Sequence, residues 1–140
     1  MSTTAGCKFC QIIAGEIPAH FVLENDDVVA FLDHRPLFYG HTLVLPRAHI
    51  DTLLELPSEF VGPFFLEVQR VTRAVTAARE AEGSFVAENN VVSQSVPHLH
   101  VHVVPRRRKD GLRGFFWPRT KYESEAQMAA VAAGIRDRLV

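Results

Sequence analysis

An α+β fold built on a largely antiparallel sheet is what this sequence predicts, on three observations. Strand-like runs come mostly in succession instead of alternating with helices. Two longer segments carry apolar residues at helical spacing. The chain has 140 residues, 47% of them hydrophobic and 22% charged, which fits one domain with a sizeable core. No internal repeat, low-complexity tract or linker interrupts it.

The elements follow in order. Cys7 to Ala14 reads as a short helix, stopped by Gly15 and followed by Pro18. Phe21–Glu24 and Val28–Leu32 read as strands joined by an Asn25-Asp26-Asp27 turn. Thr42-Leu43-Val44-Leu45 reads as a third strand, closed by Pro46. A long helix starts between Ser58 and Pro63, because proline suits a first helical turn better than an interior. Phe64, Val68, Val71, Val75 and Ala78 form its buried face, and Gly83 ends it. Ser84–Glu88 and His98–Val104 are the last two strands. Ser124, with Gln127 three residues later, forms a capping box for a final helix. Met128, Val131, Ile135 and Leu139 make its apolar stripe. Residues 105–123 form a long connection carrying Phe115-Phe116-Trp117-Pro118; connections of this length are often functional, and covering the core is an equal alternative for these aromatics.

Composition narrows the function classes. Formal net charge is -1, so no global field draws the chain to nucleic acid or membrane. The basic run Arg106-Arg107-Arg108-Lys109 reads as a solvated loop, being shorter than the charge blocks that mark interaction tails. No apolar stretch approaches the ~18 residues that span a bilayer. The N-terminus lacks the basic start and apolar core of a signal peptide, so a cytoplasmic location is expected. There a close pair such as Cys7 and Cys10 binds metal or does redox chemistry more often than it forms a structural disulfide.

The chemistry concentrates in His98-Leu99-His100-Val101-His102. Side chains alternate across a strand, so the three imidazoles share one face and the aliphatics pack on the other. At ~3.3 Å per residue, the outer histidines lie ~13 Å apart, an awkward reach for one shared ion. The triplet therefore serves adjacent sites. An imidazole is a nucleophile toward phosphorus when one ring nitrogen is unprotonated and the other donates to a fixed acceptor. A backbone carbonyl on the same strand is a candidate acceptor. Asn89, Asn90, Ser93, Gln94 and Ser95 lie just upstream and supply groups of the kind that hold phosphate oxygens, or that make ordinary turns.

Cys7-x-x-Cys10 needs two more ligands to close a zinc site. His49 and His98 are the candidates by their place in the fold, with His41 a further option. A redox pair or two unconnected thiols are the alternatives. Thiolates favour zinc over magnesium or calcium, and four ligands leave no open position, which makes the role structural.

Together these blocks resemble the histidine triad (HIT) superfamily. The resemblance rests on His98–Val104 with Gln94-Ser95-Val96 upstream, on Ala30-Phe31-Leu32-Asp33, on Gly40–His49, and on Cys7–Ile13. It covers about residues 7–105, with residues 106–140 as a C-terminal loop and helix of the same single domain. It implies a five-stranded antiparallel sheet with two main helices, paired into a homodimer. It also implies nucleotide hydrolase or transferase activity through a nucleotidyl-histidine. Residue by residue, His100 matches the nucleophile, and His102 and His41 match the histidines that orient it. Asp33 matches the acid that holds the ribose hydroxyls. Phe9, Ile12 and Phe31 match the apolar wall around the base. Asn89, Gln94 and Ser95 match polar groups at the phosphates, Ser95 also assisting the leaving group. Cys7, Cys10, His49 and His98 match the zinc ligands of bacterial members.

The sequence also departs from that pattern. Only Asn90-Val91-Val92-Ser93 separates Asn89 from Gln94, where related chains have a longer, glycine-rich loop. His34 stands where an aliphatic residue is common. Trp117 lies in a region that influences substrate choice in related proteins.

Three functions remain distinct at this point. The first is cleavage at the α-phosphate of a purine nucleotide through His100, with a phosphoramidate or dinucleoside polyphosphate as substrate. The second is metal-assisted hydrolysis at His98, His100 and one further ligand. The third is a non-catalytic nucleotide-binding module with a zinc or redox cysteine pair.

Overall fold

The computed structural model describes residues 5–112 and 119–139. The chain falls into two compact units, Met1–Asp110 and Gly111–Val140. The first unit holds helix α1 (Lys8–Ile13), strands β1 (Phe21–Glu24), β2 (Val28–Leu32) and β3 (Thr42–Pro46), a short 3-10 turn (Leu53–Glu55), helix α2 (Ser58–Ala78), and strands β4 (Gly83–Ala87) and β5 (Val101–Arg106). The strands form one five-stranded sheet in the order β1-β2-β3-β5-β4. Every neighbouring pair is antiparallel.

Side-chain alternation divides the core between the two sheet faces. On one face Val28, Ala30, Val44, Leu99, Val101 and Val103 pack against Phe64, Val68, Val71 and Val75 of α2. On the other, Val29, Phe31, Leu43 and Leu45 pack with Cys7 and Phe9 around α1. The histidines belong to this second face. Two short connections hold it in place. Asn25 Oδ1 accepts from the N–H groups of Asp27 and Val28 and fixes the β1–β2 turn. Gly40 has φ +101°, and a Cβ there would lie 2.8 Å from Arg79 Cγ. Glycine alone therefore lets the chain enter β3 and set His41 at its mouth.

Four expectations need correction. The ladder of β5 starts at Val101, not His98, because the Leu99 N–H donates to the Ile50 carbonyl (2.7 Å) outside the sheet. The alternation of faces nevertheless extends back through His98. Gly83 opens β4 and does not end α2. That helix ends at Ala78, with Glu80 in the left-handed region (φ 49°) and the Ala81 N–H returning to the Thr76 carbonyl, a Schellman closure made without glycine. Ala78 is exposed. Pro63 lies inside α2, where its missing N–H frees the carbonyl of Glu59, an exposed residue that water can reach.

Two charges of the basic run are paired within the first unit. Arg106 pairs with Asp110, Arg107 donates to the carbonyl of Arg79 at the end of α2, and Arg108 pairs with Glu82. In the second unit, α3 spans Glu125–Arg136, and the Ser124 hydroxyl accepts from the Gln127 N–H. Met128, Val131, Ile135 and Leu139 are exposed. Phe115, Phe116 and Trp117 lie outside the described residues.

Candidate active site and metal centre

Two clusters share the α1 face, and the strand entry 98–102 joins them. Each histidine's tautomer follows from its partners. His100 Nδ1 lies 2.7 Å from the carbonyl of His98. A carbonyl only accepts, so Nδ1 carries the proton and Nε2 is left with a free lone pair. The Leu37 N–H donates to His41 Nδ1 (3.0 Å), which places the proton of His41 on Nε2. That nitrogen sits 2.9 Å from His102 Nδ1. His102 therefore accepts there and carries its own proton on Nε2. Asp33 Oδ2 stands 3.7 Å from His41 Nε2, an electrostatic neighbour more than a hydrogen-bond partner, while its Oδ1 takes the Arg35 N–H.

Burial keeps these rings uncharged. His100 is 4% exposed and meets the ring of Phe9 edge-on at 4.9 Å. Desolvation holds its pKa below the ordinary histidine value, against the raising effects of the His98 carbonyl and Asp33. His41 is lowered too, by burial against the opposing pull of Asp33. His102 is pushed down to about 4, by burial first and then by His100 and His41. A lowered pKa favours the neutral, nucleophilic form of the imidazole.

The same shift sets an acid limit on stability. Between the unfolded value near 6.5 and about 4, the unfolded chain takes up a proton at His102 that the folded chain refuses. Stability is thus full above that window and falls as pH drops through it, by about 3 kcal/mol from this residue. Urea unfolding at pH 7, 5.5 and 4 measures it, and a midpoint that holds or rises toward pH 4 contradicts the assignment.

The second cluster gathers Cys7, Cys10, His49 and His98, with one donor atom from each within 4.8 Å of the others. Cys10 Sγ lies 3.1 Å from His49 Nδ1 and 3.5 Å from His98 Nδ1, and Cys7 Sγ lies 3.6 Å from His98 Nδ1. A tetrahedral zinc with ~2.3 Å sulfur and ~2.05 Å nitrogen bonds has sulfur–nitrogen edges of about 3.5 Å. The second ring nitrogens agree with that use. His98 Nε2–H donates to the Pro46 carbonyl (2.8 Å) and His49 Nε2–H to Asp51 Oδ1 (2.8 Å), so both Nδ1 lone pairs face the thiols. In the metal-free protein burial pushes the Cys10 thiol up to about 12, aided by Cys7. Such a thiol ionises against a bound cation and not otherwise. The residues therefore fit zinc. With both nitrogens committed, His98 has none left to share an ion with His100, which removes the basis for metal-assisted hydrolysis there.

The remaining candidates are placed as follows. Phe9 is buried and stacks edge-on against Phe31, His98 and His100. Ile12 packs beside it. Phe31 is 3% exposed, so it supports Phe9 from behind and offers a ligand little surface. Asn89 and Ser95 are exposed. Gln94 spends both ends of its amide inside the chain, on the Asp51 carbonyl (2.6 Å) and the Val91 N–H (3.0 Å). His34 is exposed. The glycine-free loop still enters the left-handed region, at Val91 (φ 69°) and Ser93 (φ 63°), conformations that cost roughly 1–3 kcal/mol each for such residues. Three partners escaped the sequence reading: the Leu37 N–H, the Pro46 carbonyl and Asp51. Only Asp51 had a signal, a carboxylate two residues beyond a ligand-type histidine.

Comparison with known proteins gives the family of the chain. Residues 14–109 match the HIT domain family, and the chain belongs to that family. A crystal structure of a HIT family member from Bacillus subtilis superposes with a TM-score of 0.85 at 34% identity, covering 96% of this chain and 98% of that one. An adenosine 5'-monophosphoramidase of Candida albicans is 32% identical over 124 residues, 84% of this chain and 82% of its own length. A zinc-bound histidine triad family protein from Mycobacterium smegmatis superposes with a TM-score of 0.73 at 34% identity, covering 97% of this chain and 100% of that one.

Proposed function

We propose that the protein hydrolyses a purine nucleotide at its α-phosphate, with His100 as nucleophile and an adenosine phosphoramidate or dinucleoside polyphosphate as substrate. The observation that carries this reading is the hydrogen bond from His100 Nδ1 to the His98 carbonyl. It leaves Nε2 as a neutral, fixed lone pair in a desolvated wall. The Candida relative, named a monophosphoramidase, supports the substrate class.

The step begins with the base against the Phe9 and Ile12 side of the site and the ribose hydroxyls on Asp33. His100 Nε2 forms a bond to the α-phosphorus as the bond to the leaving amine or phosphate breaks. The leaving group departs with that electron pair and takes a proton, for which the Ser95 hydroxyl is the donor carried over from the family. His102, its ring 5.0 Å from that of His100, offers its Nε2–H to a phosphate oxygen. Water then attacks phosphorus, the N–P pair returns to Nε2, and the proton of the water restores Ser95. Two displacements replace one difficult step.

Cys7, Cys10, His49 and His98 are read as a structural zinc site, supported by the donor geometry and by the zinc-bound Mycobacterium relative. When bound, the ion crosslinks α1 to the segments after β3 and before β5. The chain is also read as a homodimer. In support, β4 ends the sheet with Val86 exposed, and α2 exposes Val61, Phe65 and Leu66. Sedimentation velocity checks it, a species of twice the 15.7 kDa chain mass being expected. No helix among the described residues is long and apolar enough to cross a membrane.

Trapping by an alkaline quench, which spares the acid-labile N–P bond, tests the chemistry. Protein mixed with an adenosine phosphoramidate and denatured within a turnover is expected to gain one adenylyl group on the peptide holding His100. An adduct on another residue, or turnover without an adduct, overturns the assignment.

A further inference from the structure

We propose that Asp51 is a positioning residue serving both clusters, its carboxylate holding the metal ligand His49 and its backbone carbonyl holding Gln94 of the strained loop. The inference rests on the zinc reading above and goes beyond it, by making the segment 49–53 the link between the metal centre and residues 90–95.

The contacts alternate along that segment. His49 Nε2–H donates to Asp51 Oδ1 at 2.8 Å, which fixes the ring with Nδ1 toward Cys10. The Ile50 carbonyl accepts the Leu99 N–H at 2.7 Å, between the two buried histidines. The Asp51 carbonyl accepts Gln94 Nε2–H at 2.6 Å, and Gln94 Oε1 accepts the Val91 N–H. The Leu53 N–H donates to Asn90 Oδ1 at 2.9 Å. Left-handed backbone at a β-branched residue such as Val91 persists only where its surroundings over-determine it. Among the described residues these bonds do so together with two inside the loop, from the Val92 N–H to the Asn90 carbonyl (2.8 Å) and from the Gln94 N–H to the Val91 carbonyl (3.3 Å). Whatever fixes His49 thus also fixes the anchor of the loop. A carboxylate behind a ligating imidazole also sets its tautomer and strengthens its binding.

Two readouts test this without enzyme activity. Competition against a chromophoric chelator measures zinc affinity in the wild type, Asp51→Asn and Asp51→Ala. The alanine variant is expected to bind zinc about 10-fold or more weakly. The asparagine variant is expected to fall between, since its amide oxygen still accepts the N–H but lacks the charge. Amide hydrogen exchange on the zinc-saturated proteins reads the loop. Residues 90–95 are expected to exchange faster in Asp51→Ala than in the wild type, with β1 amides unchanged. Gln94→Ala is expected to speed loop exchange while leaving zinc affinity within about 2-fold, far from the ligand-shell effect. Equal zinc affinity in all three proteins overturns the side-chain half. Equal loop exchange in wild type and Asp51→Ala overturns the link. A wild-type chain that takes up no zinc at all overturns the metal reading itself, and this inference with it, which separates the two failures. Should Asp51→Ala fail to fold, Asp51→Asn supplies the same two readings.

Discussion

His100→Ala is expected to lower turnover of an adenosine phosphoramidate by about 1,000-fold or more, equivalent to roughly 4 kcal/mol of barrier, while AMP still binds. The reason is local. The sheet face supplies one neutral nitrogen with no hydrogen-bond partner among the described residues, and its neighbours carry protons on the matching position. His102 is hydrogen-bonded through Nδ1 to His41, so its Nε2–H is a donor and no substitute nucleophile. His100 is buried against Phe9, and alanine leaves both a cavity and an unpaired carbonyl at His98. His100→Asn is the companion variant, because its amide N–H can satisfy that carbonyl while it lacks the nucleophile. Steady-state rates with thermal unfolding of both variants decide the matter. Wild-type turnover in a folded His100→Asn protein would falsify the nucleophile assignment.

Removing zinc is expected to cost the fold more than any single side chain. Structural sites of this kind contribute on the order of 10 kcal/mol when the ligands are organised only in the folded state. Part of the second-face core persists without the ion here, so we expect about 5 kcal/mol, or a fall in Tm of roughly 10–20 °C for a chain of this size. Cys10→Ser should reproduce most of that loss, since Cys10 Sγ faces both imidazoles. The measurement is a melting curve with and without chelator, alongside metal analysis of protein purified without one. A Tm indifferent to chelator, or less than ~0.5 zinc per chain, would sink the ligand set.

Much of the fold was legible because it rests on periodicity. Val28–Leu32 and Thr42–Pro46 are central strands flanked by turn residues, and both occur where the pattern places them. The face of α2 followed from Phe64, Val68, Val71 and Val75. Some of the misreadings fall where a bond to a distant segment acts on the local conformation. Leu99 is held by Ile50 and so stays outside the ladder. Glu80 closes α2 in a conformation usually left to glycine, with Arg107 donating to the preceding carbonyl. The loop after β4 lacks glycine yet adopts positive φ at Val91 and Ser93, because Gln94 and Asn90 tie it to residues 51 and 53.

What the sequence by itself determined is the row of three histidines on one face, which needs nothing beyond the pleat of an extended chain. The pairing of Cys7 with Cys10 across one helical turn is equally local. The tertiary structure decided what each imidazole does. His98 turns one nitrogen to the thiols and the other to Pro46, His100 donates its Nδ1–H to the His98 carbonyl, and His102 accepts from His41. A ring's chemistry depends on which nitrogen holds the proton. Partners brought together by folding set that position, some of them more than 50 residues away in the chain.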